Sequence, residues 1–136
     1  MNHEPIQKRQ SHIKKPGRLP LWLKRHLSTG TGFKHTEQVL RSLGLETICS
    51  NANCPNRGEC WTRGTATVLI LGNVCTRNCK FCSVACGRPV PPDPSEPSRL
   101  AQMAEEMSFT YLVITSVNRD DLPDGGAGHF RNCIET

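Results

Sequence analysis

Residues 67–82 read Thr67-Val68-Leu69-Ile70-Leu71-Gly72-Asn73-Val74-Cys75-Thr76-Arg77-Asn78-Cys79-Lys80-Phe81-Cys82. The first five form a continuous β-branched and apolar run stopped by a glycine, the pattern of a strand buried on both faces of a parallel sheet. The remainder places three thiols within one loop immediately beyond that strand. Downstream, after a proline-rich connector, Leu100, Met103, Ala104 and Met107 recur at i, i+3, i+4 and i+7. This spacing predicts an amphipathic helix with Pro97 near its first turn. Residues 111–115 read as a second buried strand, residues 125–128 as a loop, and a further helix is expected from His129. Strand, loop, helix, strand, loop is the order of a parallel α/β sheet or barrel. Two parallel strands with one crossover helix cannot cover both sheet faces, so this segment reads as the opening of a larger fold.

Upstream, Val39, Leu40 and Leu43 share a helical face, with Thr36 as the predicted cap and Gly44 as the left-handed stop. Residues 19–27, with Leu19, Leu21, Trp22, Leu23 and Leu27, form a short amphipathic piece. Residues 47–63 show no usable periodicity. A polar stretch of this kind has little apolar surface to bury, so something other than a core is expected to order it. The expected organisation is a flexible basic arm at 1–17, a cysteine-rich extension at 18–64 and the start of an α/β unit at 65–136.

The 136 residues carry a net charge of +5, and no apolar run approaches the ~18–20 residues that span a bilayer. Charge is uneven: residues 1–48 hold nine Lys/Arg against three acids, whereas residues 49–136 hold eight against nine. Such an arm usually just solvates a terminus. The opening residues lack the apolar segment of an export signal, and residues 5–34, though free of acids, are not serine-rich as a mitochondrial presequence is. A cytoplasmic, reducing location is therefore expected, where the eight cysteines stay free for metal or catalysis.

Six of those cysteines fall into two sets of three. Cys75, Cys79 and Cys82 are spaced to surround one compact centre from a single loop, which suits an iron–sulfur cluster. Tetrahedral zinc wants four ligands, so a count of three leaves a coordination position open, as in catalytic rather than structural sites. Cys49, Cys54 and Cys60 make the second set, also one ligand short. Zinc, or a chance grouping of thiols, is the competing reading of both. Cys86 and Cys133 lie outside the sets.

The Cys75-x3-Cys79-x-Phe81-Cys82 loop after a strand resembles the signature of radical S-adenosylmethionine (SAM) enzymes. The preceding Cys49-x4-Cys54-x5-Cys60-Trp61 triplet resembles that of lipoyl synthases within that superfamily. Further matching stretches are residues 66–72, Gly87-Arg88-Pro89 and residues 115–127 (TSVNRDDLPDGGA). The resemblance implies the first two β/α units of a partial TIM-type barrel behind a cysteine-rich extension. It implies two 4Fe-4S clusters, one on Cys75, Cys79 and Cys82 whose free iron chelates SAM, and an auxiliary one on Cys49, Cys54 and Cys60 that is consumed as sulfur source. Phe81 would lie near the adenine, and Thr115 and Ser116 would line the cofactor pocket. The implied reaction is sulfur insertion at carbons 6 and 8 of protein-bound octanoyl-lysine, initiated by 5′-deoxyadenosyl radicals. The implied partners are octanoylated lipoyl domains of 2-oxoacid dehydrogenase complexes, the glycine-cleavage carrier protein and a one-electron donor such as ferredoxin or flavodoxin. Neither membrane nor nucleic acid is expected as a partner.

Two departures stand out. Cys86 occupies a position where many family members carry histidine, giving a run of 75, 79, 82 and 86 reminiscent of ferredoxin ligation. The chain also ends after two predicted strands, which reads as an N-terminal fragment that should not turn over alone. The alternatives are a ferredoxin-like electron carrier and a non-catalytic zinc module with a basic arm for nucleic acid. Asp120, Asp121 and Asp124 are either solvated turn residues or part of a pocket-lining loop over 115–126, and His129 is expected to be structural.

Overall fold

Packing of the residue 67–71 run organises the chain. The computed structural model describes residue 20, residues 30–107 and residues 111–136. The expected arm at 1–17 and nearly all of the amphipathic piece at 19–27 lie outside the described residues. Strand β2 (Thr67–Ile70) is the central strand of a three-stranded sheet. It pairs antiparallel with β1 (Glu46–Thr47) and parallel with β5 (Val113–Ser116), Thr67 opposite Val113 and Ile70 opposite Ser116. Val68, Leu69, Ile70 and Leu71 are all buried, as the uninterrupted apolar run requires of a strand covered on both faces.

The crossover from β2 to β5 runs through α4 (Glu96–Glu106), with Pro97 in its first turn and Leu100 and Met103 buried. The predicted βαβ unit is therefore present. Its second strand differs from expectation. β5 starts at Val113, not residue 111, and it is half-buried: Leu112 and Ile114 pack on the core while Tyr111 and Val113 face outward. The cause is position, because β5 is an edge strand with one hydrogen-bonded neighbour among the described residues.

Helix α1 (Thr31–Ser42) begins five residues before the predicted cap. Thr36 is not a cap but a fully buried interior residue whose hydroxyl donates to the Trp61 carbonyl at 2.9 Å. Gly44 does end the helix in the left-handed region at φ +59°. Its N–H reaches Arg41 O and the Leu45 N–H reaches Leu40 O, the paired bonds of a Schellman stop. Helix α5 (Ala127–Glu135) begins two residues earlier than predicted, because the Asp124 carboxylate accepts from the N–H groups of Gly126 and Gly128 at 2.9 and 2.8 Å.

The stretch at 47–63 is a correction. It contains two short helices, α2 (Ile48–Asn51) and α3 (Arg57–Thr62), and it is ordered by core contacts. Trp61 is buried with its ring 5.3 Å from that of Phe33. Gly32 of α1 lies against the Thr62 backbone so closely that a Cβ would strike the Thr62 carbonyl oxygen. One aromatic anchor and one glycine contact supply what hydrophobic periodicity could not reveal. No helix among the described residues is long and apolar enough to cross a membrane.

Candidate metal centre

The Cys75 loop starts at a bend. Leu71 and Gly72 both have positive φ, +68° and +88°, turning the chain sharply out of the sheet. The two-residue strand β3 (Val74–Cys75) then pairs parallel with β4 (Ala85–Cys86), setting Cys75 and Cys86 opposite one another. The Gly87 N–H donates to the Cys75 carbonyl at 2.9 Å and Cys82 N–H to the Cys79 carbonyl at 3.0 Å, closing the loop. Cys75 is half-buried; Cys79, Cys82 and Cys86 are exposed, as is Phe81 at 92%. The Arg77 backbone N–H donates to the Cys75 sulfur at 3.4 Å.

The loop following β5 is fastened to this one. Asn118 O accepts from the N–H and hydroxyl of Thr76 at 3.1 and 3.0 Å. Arg77 and Asp120 form a two-pronged pair, Nε to Oδ2 and a terminal nitrogen to Oδ1, each 2.8 Å. That pairing holds the Asp120 carboxyl at about 2, with the Thr76 hydroxyl contributing. Arg119 is almost wholly buried. Its guanidinium donates to Leu71 O, to Val90 O and to both oxygens of Asp121, whose carboxyl is thereby held low. Asp120, Asp121 and Asp124 are thus hydrogen-bonded ties of this loop and not idle, solvated turn residues. Thr115 and Ser116 sit half-buried on β5, opposite Leu69 and Ile70. The C-terminal ends of the parallel strands β2 and β5 share one edge of the sheet, where α/β folds place their ligand sites.

The second cysteine set follows β1 in the chain, on two short helices and the turn between them. Cys49 is buried on α2, Cys54 follows in the connecting turn, and Cys60 is on α3; Cys54 and Cys60 are half-buried against the core. Thr47 caps α2 through the Ser50 N–H. Glu46 connects the two cysteine segments: Oε2 accepts from Asn51 of α2 at 2.8 Å and Oε1 from Asn73, before Cys75, at 3.1 Å.

All eight cysteines are free. Among the described residues no three cysteine sulfurs lie within 4.8 Å of one another. The group that does lie within 4.8 Å is Glu96, His129 and Cys133, which the sequence reading had not connected. The group is hydrogen-bonded: His129 Nε2 stands 2.6 Å from Glu96 Oε2, and the same oxygen accepts the Leu71 N–H at 3.0 Å. Burial, helped by Glu96, pushes the Cys133 thiol up to about 11.

Sequence pattern draws attention to the cysteines but not to the hydrogen-bonding roles of Glu46, Arg77, Glu96 and Arg119. For Arg119 a signal existed, since an arginine directly followed by two aspartates after an apolar strand has a fork partner at hand.

Residues 2–54 match a family model described as the N-terminal domain of lipoyl synthase of the radical SAM family. The chain is 50% identical over 132 residues to a lipoyl synthase of Rhodopirellula baltica, covering 96% of this chain and 42% of that protein. It is 54% identical over 118 residues to the lipoyl synthase of Chlorobium limicola (86% and 40%) and 52% identical over 117 residues to that of Myxococcus xanthus (86% and 39%). The chain thus spans about two-fifths of the length of these curated relatives. Along nearly all of its own length it is similar to the N-terminal portion of the lipoyl synthases.

Proposed function

We propose that this chain provides the cluster-binding portion of a lipoyl synthase. The protein of that class inserts two sulfur atoms at carbons 6 and 8 of octanoyl-lysine, as a sulfurtransferase. The observation that carries the reading is the pair of free three-cysteine sets, one of them in the loop at the C-terminal end of a buried parallel strand. In this reading residues 65–136 are the first two β/α units of a partial barrel, residues 18–64 the auxiliary-cluster extension and residues 1–17 an arm.

Cys75, Cys79 and Cys82 would hold a 4Fe-4S cluster with SAM, and Cys49, Cys54 and Cys60 an auxiliary 4Fe-4S cluster. When bound, the first supplies the electron that cleaves SAM and the second supplies sulfide. The chain's own residues position and shield. The Arg77 backbone N–H reaches the Cys75 sulfur while its guanidinium, held by Asp120, fastens the cysteine loop to the loop after β5. Glu46 fixes the two cysteine segments relative to one another. Phe81, exposed at the loop tip, is available to cover an adenine, and Thr115 and Ser116 stand at the edge where that cofactor would lie. The substrates are octanoylated lipoyl domains of 2-oxoacid dehydrogenase complexes and the glycine-cleavage carrier protein, with ferredoxin or flavodoxin as electron donor, in the cytoplasm.

One observation favours a second reading. Cys86 stands opposite Cys75 in the β3–β4 register, so a four-thiolate, ferredoxin-like site is sterically near. Anaerobic reconstitution, iron and acid-labile sulfide analysis, and EPR before and after SAM separate the two. The proposed function requires a SAM-perturbed signal that survives Cys86→Ala; a signal indifferent to SAM and lost in Cys86→Ala establishes the carrier.

A further inference from the structure

Leu71 is one of only two non-glycine residues with positive φ among those described. A leucine has no intrinsic preference for that conformation, because its Cβ crowds the following carbonyl. Something must hold it there. Both of its backbone groups end on buried charged side chains from distant parts of the chain: the N–H donates to Glu96 Oε2 at 3.0 Å, and the carbonyl accepts from Arg119 at 3.0 Å. Each clamp is itself held, Glu96 by His129 of α5 and Arg119 by Asp121. The Leu71 side chain is buried against Gly126, leaving no room for a Cβ there. Four residues later the chain reaches Cys75.

We propose that Glu96 and Arg119 are positioning residues for the Cys75 loop, acting through the backbone of Leu71; this rests on the reading of Cys75, Cys79 and Cys82 as cluster ligands. The bend at Leu71–Gly72 sets the direction in which β3 leaves the sheet, and hence where the three thiols stand relative to the end of β5. Because Glu96 opens α4 and His129 lies on α5, the two helices flanking the sheet determine that direction. The loop is thereby placed by the fold before any metal arrives. That is how a site built on a loop can be preorganised.

The test compares Glu96→Ala, Glu96→Gln and Arg119→Lys with Met103→Ala, a buried α4 residue that contributes to the core but not to the Leu71 hydrogen bonds. Amide exchange in the metal-free chain is followed at Gly87 and Thr76, whose N–H groups report that the loop is seated. Glu96→Ala and Arg119→Lys are expected to lower protection at these two amides by about tenfold beyond their effect on the β2 amides. Glu96→Gln keeps an acceptor for Leu71 and is expected to restore it, while Met103→Ala lowers protection evenly. In the iron-loaded chain, Glu96→Ala should weaken SAM binding by about tenfold, with recovery in Glu96→Gln. Equal behaviour of Glu96→Ala, Arg119→Lys and Met103→Ala at matched thermal stability overturns the proposal. Failure of the wild-type chain to take up iron counts against the cluster reading instead, and the exchange data still decide the clamp.

Discussion

Arg77 and Asp120, 43 residues apart in sequence, meet guanidinium to carboxylate through two hydrogen bonds of 2.8 Å. A planar fork on a carboxylate fixes orientation as well as distance. Here it joins the loop carrying Cys75, Cys79 and Cys82 to the loop that follows β5, so the edges of two parallel strands become one surface. The Asp120 carboxyl, held at about 2 against an ordinary 3.8, is stabilised chiefly by Arg77. The resulting contribution is present above pH 3.8 and is lost as pH falls through about 2. Asp120→Asn should lower the thermal midpoint of the metal-free chain at pH 6. The gap to wild type should close on acidification between those two values; a gap independent of pH would show that the pair does not contribute in this way.

Gly32→Ala should separate α1 from α3, because the added methyl meets the Thr62 carbonyl. Overpacking against backbone costs about 1–3 kcal/mol. Since α3 carries Cys60, the same substitution should reduce iron bound by Cys49, Cys54 and Cys60 more than by Cys75, Cys79 and Cys82. Urea denaturation followed by tryptophan fluorescence, with iron analysis of the loaded variant, reads both effects.

Thr36→Val keeps the shape of the side chain and removes the hydroxyl that donates to Trp61 O. The Trp61 carbonyl also accepts the Gly64 N–H, so it retains one partner. The expected loss is therefore about 1 kcal/mol, the net value of one buried hydrogen bond, measured by equilibrium denaturation.

Cysteine reactivity should follow exposure and local charge. In the metal-free chain at pH 8, iodoacetamide should modify Cys79, Cys82 and Cys86 first and leave Cys133 and Cys49 for last. Cys133 combines burial with a thiol raised to about 11, so its thiolate fraction is small. Peptide mass spectrometry over time gives the order; early modification of Cys133 would contradict its buried placement on α5 beside Glu96.

The legible parts of the fold are those written in local pattern. Residues 67–71 announced a doubly covered strand, Leu100 and Met103 announced α4, and Gly44 announced a helix stop, each borne out. What stayed hidden depends on partners far away in sequence. Thr36 looks like a cap until Trp61 is seen to accept its hydroxyl. Val113 looks like core until β5 is found at the sheet edge. The spacing of Cys75, Cys79 and Cys82 was readable because the three lie in one short loop, whereas Glu96 and Arg119 act on Leu71 from 25 and 48 residues away. No periodicity encodes such ties.

The most direct measurement is electron–nuclear double resonance on the anaerobically reconstituted, reduced chain with SAM carrying ¹⁵N in its amino group and ¹⁷O in its carboxylate. If Cys75, Cys79 and Cys82 leave one iron open, both labels should show strong hyperfine coupling, in wild type and in Cys86→Ala alike, and Cys79→Ala should abolish it. Absence of coupling in wild type, with a cluster that needs Cys86, would contradict the account.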